Sequence, residues 1–307
     1  MDRELLKRVS RSFYLSMAWL PPAMRDAVAL AYMLARATDS VADTSTAAVQ
    51  DRADALRRMA GVIAGAGEEN PAALCQTLAD RLAPAQDKPA EAELLRRFPQ
   101  LLQELDAAPE DRRELIRGVL ATIIQGQLWD LTYFTADCTA VADDAMTDLY
   151  AHRVAGCVGE FWTRLGRAAL GDAFCPAARE EILCQAAVRY GKGLQLVNIL
   201  RDMQEDAARG RRYLCSDPAV WADRAERYLA DGIDYARRLG GFRLRFASML
   251  PALLGIKTLR LIRARNGTAR VKIPRRAVYV SMLRAAWCAC TGSNISYLNP
   301  KSEIAVL

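Results

Sequence analysis

The sequence predicts an all-α fold, a single bundle of roughly ten helices, and three observations predict it. The 307 residues include 54 Ala and 38 Leu against 12 Pro and 18 Gly, so strong helix formers abound and chain breakers are few. The breakers that do occur divide the chain into blocks whose apolar residues recur at helical spacing. No clean run of alternating apolar and polar residues marks a set of strands, and no internal repeat marks a solenoid. With 52% apolar residues the chain can bury a sizeable core, which excludes disorder over most of its length.

The elements follow in order. Pro21-Pro22 opens a helix at its first turn, and the Ala-rich stretch behind it runs to about Asp43, where Thr44-Ser45-Thr46 offers a fresh N-cap. Helices are expected next at about 47–64, 71–83 and 88–105. Asp106 to Pro109 is a turn, and about 110–135 is a long helix carrying Leu115, Val119, Thr122, Ile123 and Gln127 at helical spacing. Further helices are expected at about 145–169, 176–208, 217–239, 245–265 and 274–290, between turns at Gly171-Asp172, Gly210, Gly240-Gly241 and Asn266-Gly267. Residues 1–307 are expected to form one domain with a flexible tail at 291–307.

The net charge of +6 is unevenly spread. Residues 1–150 hold 16 basic and 23 acidic groups, whereas 151–307 hold 26 and 13, and from Tyr235 to Ser302 there are 14 Lys and Arg and no carboxylate side chain. Such asymmetry points to an anionic partner: nucleic acid, a membrane surface or a phosphate-bearing small molecule. No finger, RRM or repeated aromatic platform accompanies it, so nucleic acid is not an expected partner. Arg237, Arg238, Arg243, Arg245, Arg260, Arg263 and Arg265 interleave with Leu, Phe and Ile, a pattern that suits either a solvated face or contact with anionic lipid.

Eight scattered Cys and a single His152 supply no zinc set, and a reduced, cytoplasmic chain is expected. The N-terminal MDRELLKRVSRSF lacks a signal-peptide core. Uncharged stretches such as Ser12–Met24 are interrupted by Arg or Pro too soon to span a bilayer, so no transmembrane anchor is expected, though peripheral contact with the inner face of a membrane stays open.

Two acidic pairs carry the chemistry. Asp39 and Asp43, spaced i, i+4, sit on one helical face with Cβ atoms roughly 6 Å apart. With Tyr32 and Arg36 they form one polar stripe on a helix that Ala27, Val28, Ala29, Leu30, Ala31, Met33 and Leu34 make apolar nearly all round. The second stripe is Gln195, Asn198, Asp202 and Asp206, flanked by Arg201, Arg211 and Arg212, with Glu205 nearby. One such pair is commonplace on solvated faces. Two pairs, each on an apolar helix and each beside an Arg, fit the departure of a diphosphate: facing carboxylates hold Mg²⁺ through one or two oxygens each and leave positions for water and phosphate. Guanidinium groups share the charge that accumulates on the leaving group. A di-iron bundle needs Glu-x-x-His pairs, which one His cannot provide.

These residues resemble the squalene/phytoene synthase family of head-to-head prenyl synthases. The motifs occur in the family's order: Ser10-Arg11-Ser12-Phe13, DSVAD (39–43), YAHRVAGCVG (150–159), QLVNILRDMQED (195–206) and GRRYL (210–214). The resemblance implies an isoprenoid synthase bundle with a central cavity and the condensation of two prenyl diphosphates, farnesyl diphosphate in the first instance, through a cyclopropyl intermediate. It implies that Asp39, Asp43, Asn198, Asp202, Glu205 and Asp206 serve Mg²⁺. Arg11, Ser12, Arg36, Gln195, Asn198, Arg201 and Arg211 are implied to serve the diphosphates, and Tyr32 and Tyr150 the reacting carbons. His152 is read as structural. The run ARVKIPRRAVYVSM (269–282) resembles the squalene-synthase region associated with NADPH, which would assign Asn198, Lys272 and Arg275 to that cofactor. Pro274 stands where that run has an Arg, and Ala42 where squalene synthases commonly carry an acid. The expected activity is squalene synthesis with Mg²⁺ and NADPH; the alternatives are phytoene, dehydrosqualene or hydroxysqualene synthesis without reduction, an inactive partner subunit that keeps only the bundle, or, in a different class, a basic helical nucleic-acid-binding protein that would leave both aspartate pairs unexplained.

Overall fold

A computed structural model of the chain describes residues 2–10, 13–67, 70–264 and 271–291. Their helices are α1 (Arg3–Ser10), α2 (Phe13–Trp19), α3 (Pro22–Ala42), α4 (Val49–Ala64), α5 (Pro71–Thr77), α6 (Pro89–Arg96), α7 (Phe98–Asp106) and α8 (Glu110–Tyr133). They continue with α9 (Asp144–Ala151), α10 (Cys157–Leu170), α11 (Glu180–Ala208), α12 (Pro218–Arg238), α13 (Gly241–Ala264) and α14 (Arg275–Thr291). Among the described residues the only β pairing is an isolated bridge between Ala140 and Arg212, so the all-α expectation holds.

Most expected blocks are present, with differences that have local causes. The 88–105 block is two helices, because the chain bends at Arg97 (φ −90°, ψ 3°) and Pro99 opens α7 within its first turn. The 145–169 block is interrupted by a π-helical turn at His152–Gly156, and 71–83 ends in another at Leu78–Leu82. Thr44 does not cap α4; its hydroxyl donates back to Ser40 O at 2.8 Å, and α4 starts at Val49 without a side-chain cap. The short helices α1 and α2 were not foreseen. The Asn266-Gly267 turn and tail residues 292–307 lie outside the described residues.

Helix α11 runs through the middle, packed on α10, α12 and α13, while α3 packs against α4, α8 and α10. Glycine allows the closest crossing. A Cβ on Gly159 would lie 2.0 Å from the carbonyl oxygen of Ala187, and one on Gly191 would lie 2.2 Å from that of Ala155. The backbones of α10 and α11 are therefore in direct contact. Leu165, Leu183, Leu196, Trp221, Leu229 and Tyr235 fill the core around them, nearly or fully buried.

Candidate active site

Between α3, α8, α10, α11 and α13 lies a cavity of about 680 Å³. Both acidic pairs line it. Asp39 comes from the last turn of α3 and Asp43 is the residue that caps its C-terminal end, while Asp202 and Asp206 come from the last two turns of α11. Tyr32, Arg36, Tyr150, Gln195, Asn198 and Arg211 also line it. Arg201 and Glu205 sit on α11 beside the acidic pair but do not line the cavity; Arg201 Nε donates to Asp202 Oδ1 at 2.9 Å. Arg11 and Ser12 lie outside the described residues. Lys272 and Arg275 are exposed and line no part of the cavity.

The polar end is held by charge pairing. Arg36 bridges Asp39 and Glu91, and Lys88 Nζ reaches the same Glu91 oxygen at 2.9 Å. Arg211 Nη1 pairs with Asp130 Oδ2 at 2.8 Å, and the Tyr213 hydroxyl donates to the other oxygen. The backbone puts Arg211 there: α11 ends at Ala208, Gly210 turns the chain at φ +75°, and Arg212 is tied to the 139–141 strip by bonds of 3.0 Å in both directions, from Arg212 N to Thr139 O and from Val141 N to Arg212 O. Asp130, Arg209 and Tyr213 complete this end, and the sequence reading had not singled them out. A signal existed for Asp130: Ile123, Gln127, Asp130 and Leu131 follow at i, i+4, i+7 and i+8, so it shares the face of α8 that lines the cavity.

Electrostatics mark the carboxylates as crowded. Burial, then the neighbouring Asp43, pushes Asp39 up to about 7 against the pull of Arg36. Its side chain keeps 39% of its exposure because it borders the cavity. Burial raises Asp43 as well, despite Arg36 and Arg211. Asp206 is pushed up to about 6 by burial, then by Asp202 and Asp130. These groups are ones that a cation would stabilise. Among the described residues no three or more His, Cys, Asp or Glu converge into a ready-made cage, so an ion here would draw its remaining ligands from water or substrate.

The rest of the cavity is apolar and aromatic. The Tyr150 ring stacks on Tyr213 with centroids 4.9 Å apart and 12° between planes, and Trp129 backs Tyr150 at 5.3 Å. On α2 and α3 Phe13 meets Tyr32 at 5.4 Å, and Phe13 also meets Trp162 of α10 at 6.5 Å. Tyr190 donates to Ser248 O at 2.8 Å and the Tyr235 hydroxyl bonds Thr163 Oγ1 at 2.9 Å, so both hydroxyls are satisfied by protein. With Leu194, Ala247 and Pro251, these rings form an apolar wall. The π-helical turn after Tyr150 lets Tyr150, Val154, Ala155 and Val158 all line the cavity. The Tyr150 hydroxyl is held well above its ordinary value by burial and then by Asp130, so it is a neutral donor. Polar groups at one end and an aromatic, apolar lining at the other suit a ligand with an anionic head and a hydrocarbon tail.

The chain is similar to known proteins in sequence and in fold. Over 209 residues the chain is 30% identical to the presqualene diphosphate synthase of Zymomonas mobilis, covering 68% of this chain and 57% of that one. Over 240 residues it is 28% identical to the 15-cis-phytoene synthase of Synechocystis, covering 76% and 60%. The chain thus matches less than two thirds of the length of these relatives. In three dimensions it resembles TcSQS in complex with a ligand (TM-score 0.69, 23% identity, 92% of this chain and 85% of that one) and a ligand-bound dehydrosqualene synthase (TM-score 0.62, 18% identity, 92% and 93%). At these identities the structures establish the fold. Residues 6–218, which contain both aspartate pairs and the aromatic wall's Tyr32 and Tyr150, match the squalene/phytoene synthase family model, and the chain belongs to that family.

Proposed function

We propose that the chain is a Mg²⁺-dependent squalene synthase: it joins two farnesyl diphosphates head to head into presqualene diphosphate, releasing one diphosphate and a proton. NADPH, with Asn198, Lys272 and Arg275 as the residues that resemblance assigns to it, would supply the hydride for reduction of that intermediate to squalene. The observation that supports the reading is the presence, in the lining of one cavity, of two aspartate pairs from different helices together with an aromatic, apolar wall. The carboxylates fit the metal by their donor chemistry: hard oxygens, crowded by burial and one another, with coordination left open. Asp39, Asp43, Asp202 and Asp206 would hold Mg²⁺, with Asn198 and Glu205 adjacent on α11. When bound, the metal supplies Lewis-acid stabilisation of the departing diphosphate.

The chain's own groups do the rest. Arg36, Arg209 and Arg211 border the polar end and can share the charge of the leaving group. The faces of Phe13, Tyr32, Tyr150 and Trp162 offer π-density to carbon that becomes cationic once diphosphate leaves. The apolar wall orients the tails and excludes water that would quench the cation.

A second reading ends at presqualene diphosphate or at an unreduced C30 or C40 product. The observation favouring it is that Lys272 and Arg275, the residues assigned to NADPH by resemblance, are exposed and outside the cavity lining. Incubating purified protein with farnesyl diphosphate and Mg²⁺, with and without NADPH, separates the readings by product. Squalene only in the NADPH tube supports the first; the same non-squalene product in both tubes overturns it.

A further inference from the structure

Helix α14 carries no carboxylate and presents Tyr279, Leu283 and Trp287 to solvent at 65%, 72% and 66% exposure. Spaced i, i+4, i+8, they form one stripe along two turns. Three large apolar side chains exposed in line on one helix are not the scattered exposure of an ordinary surface. The opposite face, with Ala277, Ser281, Ala285 and Cys288, is buried against the bundle, and α13 is its principal partner. The helix is therefore fixed in place with its apolar stripe outward.

The same helix and its neighbour α13 carry a cluster of cations. Arg276 is exposed at the start of α14, and Lys257 is held below its ordinary value by burial and then by Arg284, Arg260 and Arg276. These side chains, from α13 and α14, are close enough to oppose one another's charge. The sequence places no acid anywhere from Tyr235 to Ser302. A Tyr and a Trp bracketing a Leu, on a helix edged by Arg and Lys, are the amphipathic components that enter the headgroup boundary of a bilayer. No described helix is long and apolar enough to cross a membrane, so the geometry is that of a helix lying on the surface. We propose that the outward face of α14 docks the protein on an anionic lipid surface, with Tyr279, Leu283 and Trp287 entering the headgroup region and the cations of α13 and α14 facing lipid phosphates. Helix α13, which packs against α14, also lines the cavity with Ala247, Ser248 and Pro251, so docking would set the cavity one helix away from the bilayer. The inference does not depend on which product the cavity makes.

The test is flotation of the full chain with vesicles of phosphatidylcholine alone or mixed with phosphatidylglycerol, at low and high salt. The wild type is expected to float with the anionic vesicles at low salt and to be released at high salt. Leu283→Ser combined with Trp287→Ser should lower partition at least about tenfold, and Arg276→Gln about fivefold. Unchanged far-UV CD and elution volume keep the variants interpretable. No flotation of the wild type at low salt overturns the proposal, as does flotation that both variants leave unchanged. A wild-type dimer that the Leu283/Trp287 variant dissociates would identify a second copy as the occupant. Flotation only after truncation behind Thr291 would identify the terminal segment; either result also overturns the proposal.

Discussion

Replacing Gly159 by alanine tests how tightly the cavity depends on the contact between α10 and α11. The added Cβ would lie 2.0 Å from the Ala187 carbonyl oxygen and 2.4 Å from its carbon, and real Cβ atoms essentially never approach within 3.0 Å. A backbone carbonyl in mid-helix cannot swing aside, so α10 must retreat from α11 by about 1 Å. Overpacking of this kind costs about 1–3 kcal/mol, here at the upper end, and alanine's better helix propensity returns about 1 kcal/mol. The net loss is about 1–2 kcal/mol. Gly118, inside α8, is the control: a Cβ there meets nothing within 4 Å, so Gly118→Ala should stabilise by about 0.5–1 kcal/mol. Urea unfolding followed by far-UV CD should therefore separate the two variants by about 1.5–3 kcal/mol. Gly159 also lines the cavity, and a shift of about 1 Å in its wall can lower kcat/KM by up to about 100-fold. A Gly159→Ala protein as stable as Gly118→Ala, or one with wild-type turnover, would refute the account of the crossing.

Other outcomes follow from the same geometry. Asp39→Asn and Asp202→Asn should each lower kcat at least about 100-fold with the helical CD signal intact; full activity of both would sink the functional reading. Asp130→Ala strands Arg211 and the Tyr213 hydroxyl in a half-buried pair and should cost about 1–3 kcal/mol in urea unfolding, whereas a loss below about 0.5 kcal/mol would show that Asp130 anchors nothing. All eight cysteines are free, so reductant should leave thermal unfolding unchanged. Burial pushes Cys157 up to about 12 and Cys184 up to about 11, which keeps both as thiols at neutral pH. Between pH 7 and 9 iodoacetamide should spare these two in the native protein while labelling exposed Cys290, as peptide mass mapping would show.

Local pattern made much of this legible. Asp39 and Asp43 could be read because an i, i+4 acidic pair on a helix otherwise apolar has to face something polar, and the second stripe on α11 repeated the signal. Asp130 was missed because the other carboxylates of its 24-residue helix, Glu110, Asp111 and Glu114, sit at the far end and form no acidic pair with it; its partners Arg211 and Tyr213 lie 81 and 83 residues away. The two π-helical turns leave no compositional mark, since the residues in them are compatible with ordinary helix. Helices α1 and α2 are too short for periodicity to rise above background. The role of Gly159 is tertiary: a mid-helix glycine reads as weak helix propensity until the carbonyl across from it is known.

Two of the cations that line the cavity are paired with carboxylates of the chain itself: Arg36 with Asp39 and Glu91, Arg211 with Asp130. On the proposed function, diphosphate entry would at these two arginines be a substitution of one counter-ion for another rather than the neutralisation of bare charge. Since few mobile ions would be released in that exchange, affinity should vary with ionic strength less steeply than the number of arginines suggests. The same carboxylates would give the guanidinium groups partners to return to once a spent diphosphate leaves.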